Sequence, residues 1–327
     1  MFNKRNKTRV SLVIQDHVIR FVEVRQGDVE QVHVADEFFL EEGIISEGKI
    51  VDRPKLKEVL EEMVKTYQLK KREVLFTVPD AHVVLRKIPY PEEVSEMELQ
   101  QHLYLEIGTN IILPFEHAVF DYGIYEREGE KDIVLLAAEQ SFVNDYADLF
   151  EEIGLFPIAA DVSIFCFIRL YEYVKHRTKI DAHTLFIQFD IQSAHFSFVH
   201  KDTPLLSQYL MLEYFNQWKH KKNQEGFSEY YWTGPMESMD EQIDTMIQSL
   251  ERGIKFYEET LNPNTSIQKI ILSGDFPYLK KAKEKIEAMT NVSVEIFECN
   301  EFKTDNGSNI SPQQYVALGL ALKEVIE

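Results

Sequence analysis

The sequence predicts an α/β protein built from two related halves, the first carrying an inserted α+β unit. Two observations predict the halves. Residues 10–14, 18–24 and 29–34 are short β-rich runs separated by breaks of hairpin length, and residues 184–189, 194–200 and 205–212 repeat that plan. The third observation is the stretch 74–161, which reads strand, strand, helix, strand, strand, helix, strand, a pattern unlike either flank.

Each element follows from its residues. The first three runs form an antiparallel meander. Asp52-Arg53-Pro54 starts a helix with proline near its first turn, and Leu56, Val59, Leu60, Met63, Val64 and Tyr67 share one face. VLFTVP (74–79) and VVLRKIPYP (83–91) are strands, and Ser95-x-x-Glu98 is a capping box for a helix carrying Leu99, Leu103 and Ile107. AVFDYGIYE (118–126) and DIVLLAAE (132–139) are strands. A helix from Ser141 carries Phe142, Tyr146, Leu149, Phe150 and Ile153, and Gly154 is its left-handed stop before FPIAADV (156–162). Residues 163–176 are apolar around nearly the whole circumference, so this helix is expected between layers. After the second meander, 215–235 reads as an irregular excursion whose Lys219, Lys221 and Lys222 form a solvated loop. A long helix is expected from about Met239 to Leu261, ended by Asn262-Pro263-Asn264. A buried strand at 267–272, a helix at 278–289, a polar loop at 300–309 and a final helix behind Ser311-Pro312 complete the chain. Tyr315, Leu318, Leu322 and Ile326 are its inward face.

The bulk properties exclude several classes. At 327 residues, 44% hydrophobic and 28% charged, this is the mix of a folded protein with more than one core. A formal charge of −20 repels nucleic acid and anionic lipid, so neither is an expected ligand. No apolar run approaches the length of a membrane span. The start, MFNKRNKTR, is basic without an apolar segment and reads as a frayed tail, not a signal peptide. Cys166 and Cys299 alone build neither a disulfide scaffold nor a cysteine metal site, which fits a reducing cytoplasm. There is no Gly-x-Ser-x-Gly, His-Glu-x-x-His or P-loop pattern. His17 and His195 sit in turns beside Asp16 and Asp190 and read as solvated, and His82, His102 and His117 lack ligand spacing, so no metal is expected.

EEGIISEGKIVD (41–52), a glycine- and isoleucine-punctuated approach to the first helix, is the first of several segments that, in order, resemble the PilM family of type IV pilus assembly proteins. Residues 71–79 resemble its strand ending in Val-Pro. Leu113-Pro114-Phe115, followed by Val119-Phe120-Asp121-Tyr122, resembles its Ile-Pro-Phe and Asp-Tyr segment. Ile153-Gly154-Leu155 with Ala160-Asp161-Val162 resembles its Ala-Gly-Leu and Asp-Val joint, and Arg252 to Tyr257 and residues 316–321 resemble its late helices. The similarity spans nearly the whole chain.

The resemblance implies an actin-like, ribonuclease H-like duplicated two-domain α/β fold, related to FtsA, with an inserted α+β subdomain. The implied divisions are 1–80 for the first part of the first domain, 81–161 for the insertion and 162–182 for a connecting helix. The second domain is 183–310, and 311–327 is a helix returning to the first. It further implies a cytoplasmic scaffold of the type IV or competence pilus assembly platform, held at the inner face of the cell membrane through partners. The implied partner is a PilN-like bitopic membrane protein, whose N-terminal cytoplasmic tail is gripped in a cleft beside the insertion. The pilus motor ATPase, the platform protein and a second copy of the chain are further candidates. Ile88, Tyr90, Ile111, Ile112, Leu113, Pro114 and Phe115 are the candidates for the peptide pocket, each with simple core packing as the competing reading.

Many relatives bind ATP between the halves, and here the sequence departs from the pattern. Such a site needs two glycine-containing hairpin turns whose N–H groups cradle phosphate, with carboxylates placing Mg²⁺. At the first turn Val13 stands at the carboxylate position and Gln15 at the glycine, with Asp16 beside it. At the second, Gln188 and Asp190, or Asp190 and Gln192 two residues later, replace carboxylate and glycine. In the third loop, Ser273-Gly274-Asp275, only Gly274 is kept. An aspartate facing a phosphate at ~4 Å costs about 4 kcal/mol at an effective dielectric near 20, roughly a thousandfold in affinity. The expectation is therefore a degenerate, non-functional nucleotide site, no cofactor and no ATP hydrolysis. The alternative is an actin-like ATPase that holds Mg·ATP through altered contacts. A membrane-tethered FtsA-like filament is disfavoured, because Lys323-Glu324-Val325-Ile326-Glu327 is acidic where a basic amphipathic anchor is needed.

Overall fold

A computed structural model describes residues 8–25, 28–176, 178–213, 215–222, 228–299 and 301–325. Residues 1–7 of the expected frayed tail, and Ile326, expected as a packing residue, lie outside the described residues, whereas Thr8 and Arg9 begin a strand in which Arg9 is buried and pairs with Glu73 at 2.9 Å.

The first meander is β1 (Thr8–Gln15), β2 (Val18–Arg25) and β3 (Asp28–Phe39), all antiparallel. The short hairpin of β4 (Ile45–Ser46) and β5 (Lys49–Ile50) leads to α1 (Arg53–Thr66). Asp52 caps α1 by accepting from the Lys55 backbone N–H at 3.1 Å. β6 (Glu73–Thr77) runs parallel to β1. The inserted unit follows as β7 (Val84–Pro89), α2 (Leu99–Glu106), β8 (Ala118–Arg127) and β9 (Glu130–Glu139), its sheet ordered β7-β9-β8. Then α3 (Gln140–Glu152) leads through Gly154 to β10 (Phe156–Asp161), parallel to β6.

After α4 (Ser163–Val174) the plan repeats. β11 (Thr184–Phe189), β12 (Ser193–His200) and β13 (Thr203–Met211) are the second meander. A hairpin of β14 (Trp218–Lys222) and β15 (Ser228–Trp232) precedes α5 (Met236–Phe256), which runs into a π-helical turn at Tyr257–Leu261. β16 (Lys269–Ser273), α6 (Leu279–Thr290) and β17 (Val294–Ile296) complete the second sheet, and α7 (Tyr315–Ala321) ends the described helices. The sheets are ordered β3-β2-β1-β6-β10 and β13-β12-β11-β16-β17, with each inner pair from β1 or β11 parallel, so the duplication holds strand for strand.

Five layers result. Leu56, Leu60 and Met63 of α1 and Phe142, Tyr146 and Phe150 of α3 cover one face of the first sheet. Phe167 and Leu170 of α4, with Tyr315 and Leu318 of α7, fill the space between Val22 and Val24 of the first sheet and Phe186 and Ile271 of the second. That placement explains why α4 is apolar all round. Met239, Ile243 and Met246 of α5 and Ile286 of α6 cover the outer face of the second sheet. α7 lies so close to α4 that a Cβ on Gly319 would stand 1.8 Å from the Cys166 carbonyl oxygen, which only glycine permits.

Several expectations are corrected. The insertion is narrower than 81–161, because α3 packs in the first core and β10 is the edge strand of the first sheet. Helix α2 starts at Leu99; Glu98 reaches back to the Ser95 hydroxyl at 2.6 Å, closing a turn ahead of the helix in place of a full capping box. The excursion at 215–235 contains a regular hairpin, because Trp218 and Tyr230 are buried in the second core while Lys219, Lys221 and Lys222 face out. β17 is too short for its alternation to register in the sequence.

Candidate functional site

The two meander turns face one another across the crevice between the halves. The first, between β1 and β2, brings Gln15, Asp16 and His17; the second, between β11 and β12, brings Asp190, Ile191 and Gln192; the loop after β16 brings Gly274 and Asp275. Neither turn contains a residue of positive φ, so neither forms the left-handed backbone that a phosphate cradle takes from glycine.

Side chains tie the turns together across the crevice. Gln15 Nε2 donates to Asp190 Oδ2 at 3.0 Å, and His17 Nδ1 donates to Gln192 Oε1 at 2.6 Å. Arg20 of β2 reaches across as the buried cation of the cluster. It donates to Asp275 Oδ2, to Gln15 Oε1 at 2.8 Å and to the Tyr230 hydroxyl at 3.0 Å. The Asp190 and Asp275 carboxylates join the two loops through backbone donors: Asp275 N donates to Asp190 Oδ1 and Ile191 N to Asp275 Oδ1, both at 2.9 Å. Burial alone would raise the Asp275 carboxyl, yet Arg20 and His17 hold it well below the usual carboxylate range. Burial, with the Asp275 charge beside it, pushes Asp190 up to about 7 against the pull of Arg20.

Asp16 turns away from this cluster and accepts from the backbone N–H groups of Glu47 at 2.7 Å and Gly48 at 2.8 Å. Gly274 has φ +129, and a Cβ there would stand 2.0 Å from the Phe189 carbonyl oxygen, so strand packing accounts for this glycine without a ligand. Val13 and Gln188 line the crevice. His17 and His195, expected to be solvated, are 5% and 6% exposed. His195 Nδ1 lies 3.2 Å from Asp80 Oδ2, and its Nε2 lies 2.6 Å from Ser207 Oγ, while Ser163 Oγ donates to Asp80 at 2.7 Å. Burial would raise Asp80, and His195 overrides it and lowers it. The space left in the crevice is about 80 Å³, against roughly 300–1,000 Å³ for a small-molecule site.

A larger concavity of about 480 Å³ opens between the inserted unit and the first domain. Val83, Val119, Leu136, Ala138, Val143, Ala160 and Phe165 supply apolar walls. Asp161 closes one end, paired with Arg169 Nη2 at 2.5 Å and Lys323 Nζ at 3.1 Å. β10 and β8, which flank it, are each the edge strand of their own sheet.

Over residues 12–205 the sequence matches the family described as type IV pilus assembly protein PilM. The chain belongs to that family. No curated protein sequence matches it. Among solved structures it is similar to a PilM-PilN type IV pilus biogenesis complex, at 20% identity and a TM-score of 0.75, covering 97% of this chain and 98% of that one. It is also similar to the cytoplasmic domain of EpsL, an inner membrane component of the type II secretion system of Vibrio cholerae. That match has 9% identity and a TM-score of 0.50, covering 97% and 96%. With the duplicated sheets, these likenesses establish the actin-like fold of this PilM family member.

The seven residues expected to form a peptide pocket do not line this groove. Ile88, Tyr90, Ile111 and Leu113 pack in the small core under α2, Phe115 is half-buried, and Ile112 and Pro114 are exposed; none of them lines the groove. The groove walls come from β8, β9, β10, α3 and α4, whose apolar runs read equally well as plain core. Among the described residues no helix is long and apolar enough to cross a membrane, and no group of three or more His, Cys, Asp or Glu could hold a metal ion.

Proposed function

We propose that this chain is a non-catalytic scaffold of the type IV pilus assembly platform. In this reading it grips the N-terminal cytoplasmic tail of a PilN-like bitopic protein in the groove between the inserted unit and the first domain. Its association with the membrane is then borrowed from that partner, and contacts with the motor ATPase, the platform protein or a second copy are made by other surfaces. The observation that carries the reading is the groove itself. It offers apolar walls, and two sheet edges with unpaired backbone groups flank it, the combination that takes an extended peptide. Two apolar side chains of about 100 Å² each, buried there, contribute about 5 kcal/mol before the cost of ordering the tail. The similar structure of a PilM-PilN complex supports the same partner.

We further propose that the crevice between the halves holds no nucleotide. The cross-linked turns, the internal Arg20 cation and the small remaining space support this. Titration calorimetry with a synthetic N-terminal tail of a PilN-like protein from the same organism tests the first proposal. Saturable binding at about micromolar affinity, lost in Ala138→Arg with the fold intact, is expected; no binding at hundred-micromolar tail sinks it. For the second, a saturable rise in melting temperature with sub-millimolar Mg·ATP is the contrary result.

A further inference from the structure

The inserted sheet has two faces, and α2 covers the one turned away from the groove. Ile133 and Leu135 of β9 pack under Leu99 and Leu103 of α2, whereas Leu136 and Ala138 face the groove. The outer side of α2 is apolar where solvent should be. Met97 is 95% exposed, Tyr104 71%, Leu105 66% and Ile112 67%. Met97 precedes the helix by two residues, and with Tyr104 and Leu105 it falls at i, i+7 and i+8, one side of the helix. Ile112 follows in the turn that closes against its end, where Ile111 N donates to the Glu106 carbonyl at 2.9 Å.

Carboxylates dominate the segment that carries this patch. From Ile88 to Glu126 the sequence contains no lysine or arginine, while Glu92, Glu93, Glu96, Glu98, Glu106, Glu116, Asp121 and Glu126 are all carboxylates. Glu96 is reached from outside by Lys131 at 3.1 Å. Among the described residues Glu92, Glu93 and Glu116 have no ion-pair partner, and all three are exposed. An apolar strip rimmed by unpaired carboxylates excludes an anionic membrane, and it disfavours the same surface of a second copy, whose carboxylates would meet these.

We infer that the outer face of α2 is a docking surface for a lysine- and arginine-rich amphipathic segment of a partner protein, separate from the groove. The partner's apolar side chains cover Met97, Tyr104, Leu105 and Ile112, and its cations lie over Glu92, Glu93 and Glu116. This surface does not depend on the groove reading, and either stands if the other fails.

The probe is a synthetic helix of leucine and lysine, with leucines at i, i+3, i+4 and i+7, followed by fluorescence anisotropy against the full chain. Binding at about 10 μM that weakens with salt is expected. The decisive variant is Leu105→Glu, on an exposed site where the fold is insensitive. Docking on this face loses at least tenfold, whereas Phe256→Glu, exposed on α5, leaves it unchanged. If Leu105→Glu binds as well or tighter, the attraction is diffuse charge alone and the surface is not a site. Absence of binding by the wild-type chain overturns the inference as well. So does concentration-dependent dimerisation that Leu105→Glu abolishes, which makes a second copy the occupant. Flotation with vesicles of anionic or zwitterionic lipid, again lost in Leu105→Glu, makes it a membrane.

Discussion

Arg20 is 3% exposed and holds four groups from both halves: Gln15 and Glu37 in the first, Tyr230 and Asp275 in the second. A buried charge of this kind is costly to strip of its partner. Arg20→Met strips the ionised Asp275 of its guanidinium partner, and urea denaturation is expected to show a loss of about 3–5 kcal/mol. Adding Asp275→Asn removes the stranded charge, so the double variant is expected to be more stable than Arg20→Met alone. Equal or lower stability of the double variant contradicts that account. Asp190 makes a second prediction. Its folded carboxyl titrates at about 7, against about 3.9 in an unfolded chain. Between those values the folded state binds more protons, so this group's stabilisation is present below about pH 4 and is lost as pH rises to 7. Asp275 has the opposite sign, since its lowered carboxyl loses stability only as pH falls below the unfolded value. Glu172, pushed up to about 7 by burial and a hydrogen bond to Asp202, adds to the same decline as Asp190. The variant Asp190→Asn keeps Glu172, so the difference between the two melting curves isolates Asp190. Wild-type stability is expected to fall more steeply than the variant's from pH 5 to 7, and parallel curves refute the assignment.

At the scale of elements, the inserted unit is the piece with its own small core. Leu99, Leu103, Ile111, Ile133 and Leu135 hold α2 on its sheet, while Tyr125, Val134 and Leu136 on the other face join the core of the second half. Leu103→Ala removes a buried side chain from the small core and is expected to cost about 2–4 kcal/mol locally. Hydrogen exchange should then accelerate in α2 while β11 and β16 stay protected. A uniform loss of protection throughout the chain means that the unit does not unfold by itself. The β14–β15 hairpin is the other element with a distinct task. His220 stacks on Phe39 of the first half at 3.5 Å between centroids and 12° between planes, and Ser228 N donates to Glu37 Oε1 at 3.3 Å. It is a strap from the second half to the first.

For the whole molecule, the strap, the Arg20 cluster and the joined turns act together. The links Gln15–Asp190, His17–Gln192 and Asp80–His195 cross the crevice directly. Such a body is expected to hold one angle. Spin labels at Lys57→Cys on α1 and Lys283→Cys on α6, with the native Cys166 and Cys299 buried, should give a single narrow distance distribution unchanged by Mg·ATP. A second distance, or a shift on adding nucleotide, refutes the locked crevice.

The sequence by itself determined the halves, because alternating apolar strands and a repeated turn spacing are local signals that survive without any knowledge of neighbours. It determined α1, α3 and α4 for the same reason: Leu56 to Val64, Phe142 to Phe150 and the apolar circumference of 163–174 are written in helical period. It also set the expectation that Gln15, and Asp190 or Gln192 depending on register, stand where a phosphate site places glycine. Only the tertiary structure decided what those residues do instead. Arg20 is one more polar residue on an alternating strand until Asp275, 255 positions away, is folded against it. The groove walls were hidden because a residue at a domain edge and a residue in a core have the same apolar character. Which of them faces an opening depends on how separate elements are set against one another, and that is a long-range property no local pattern encodes.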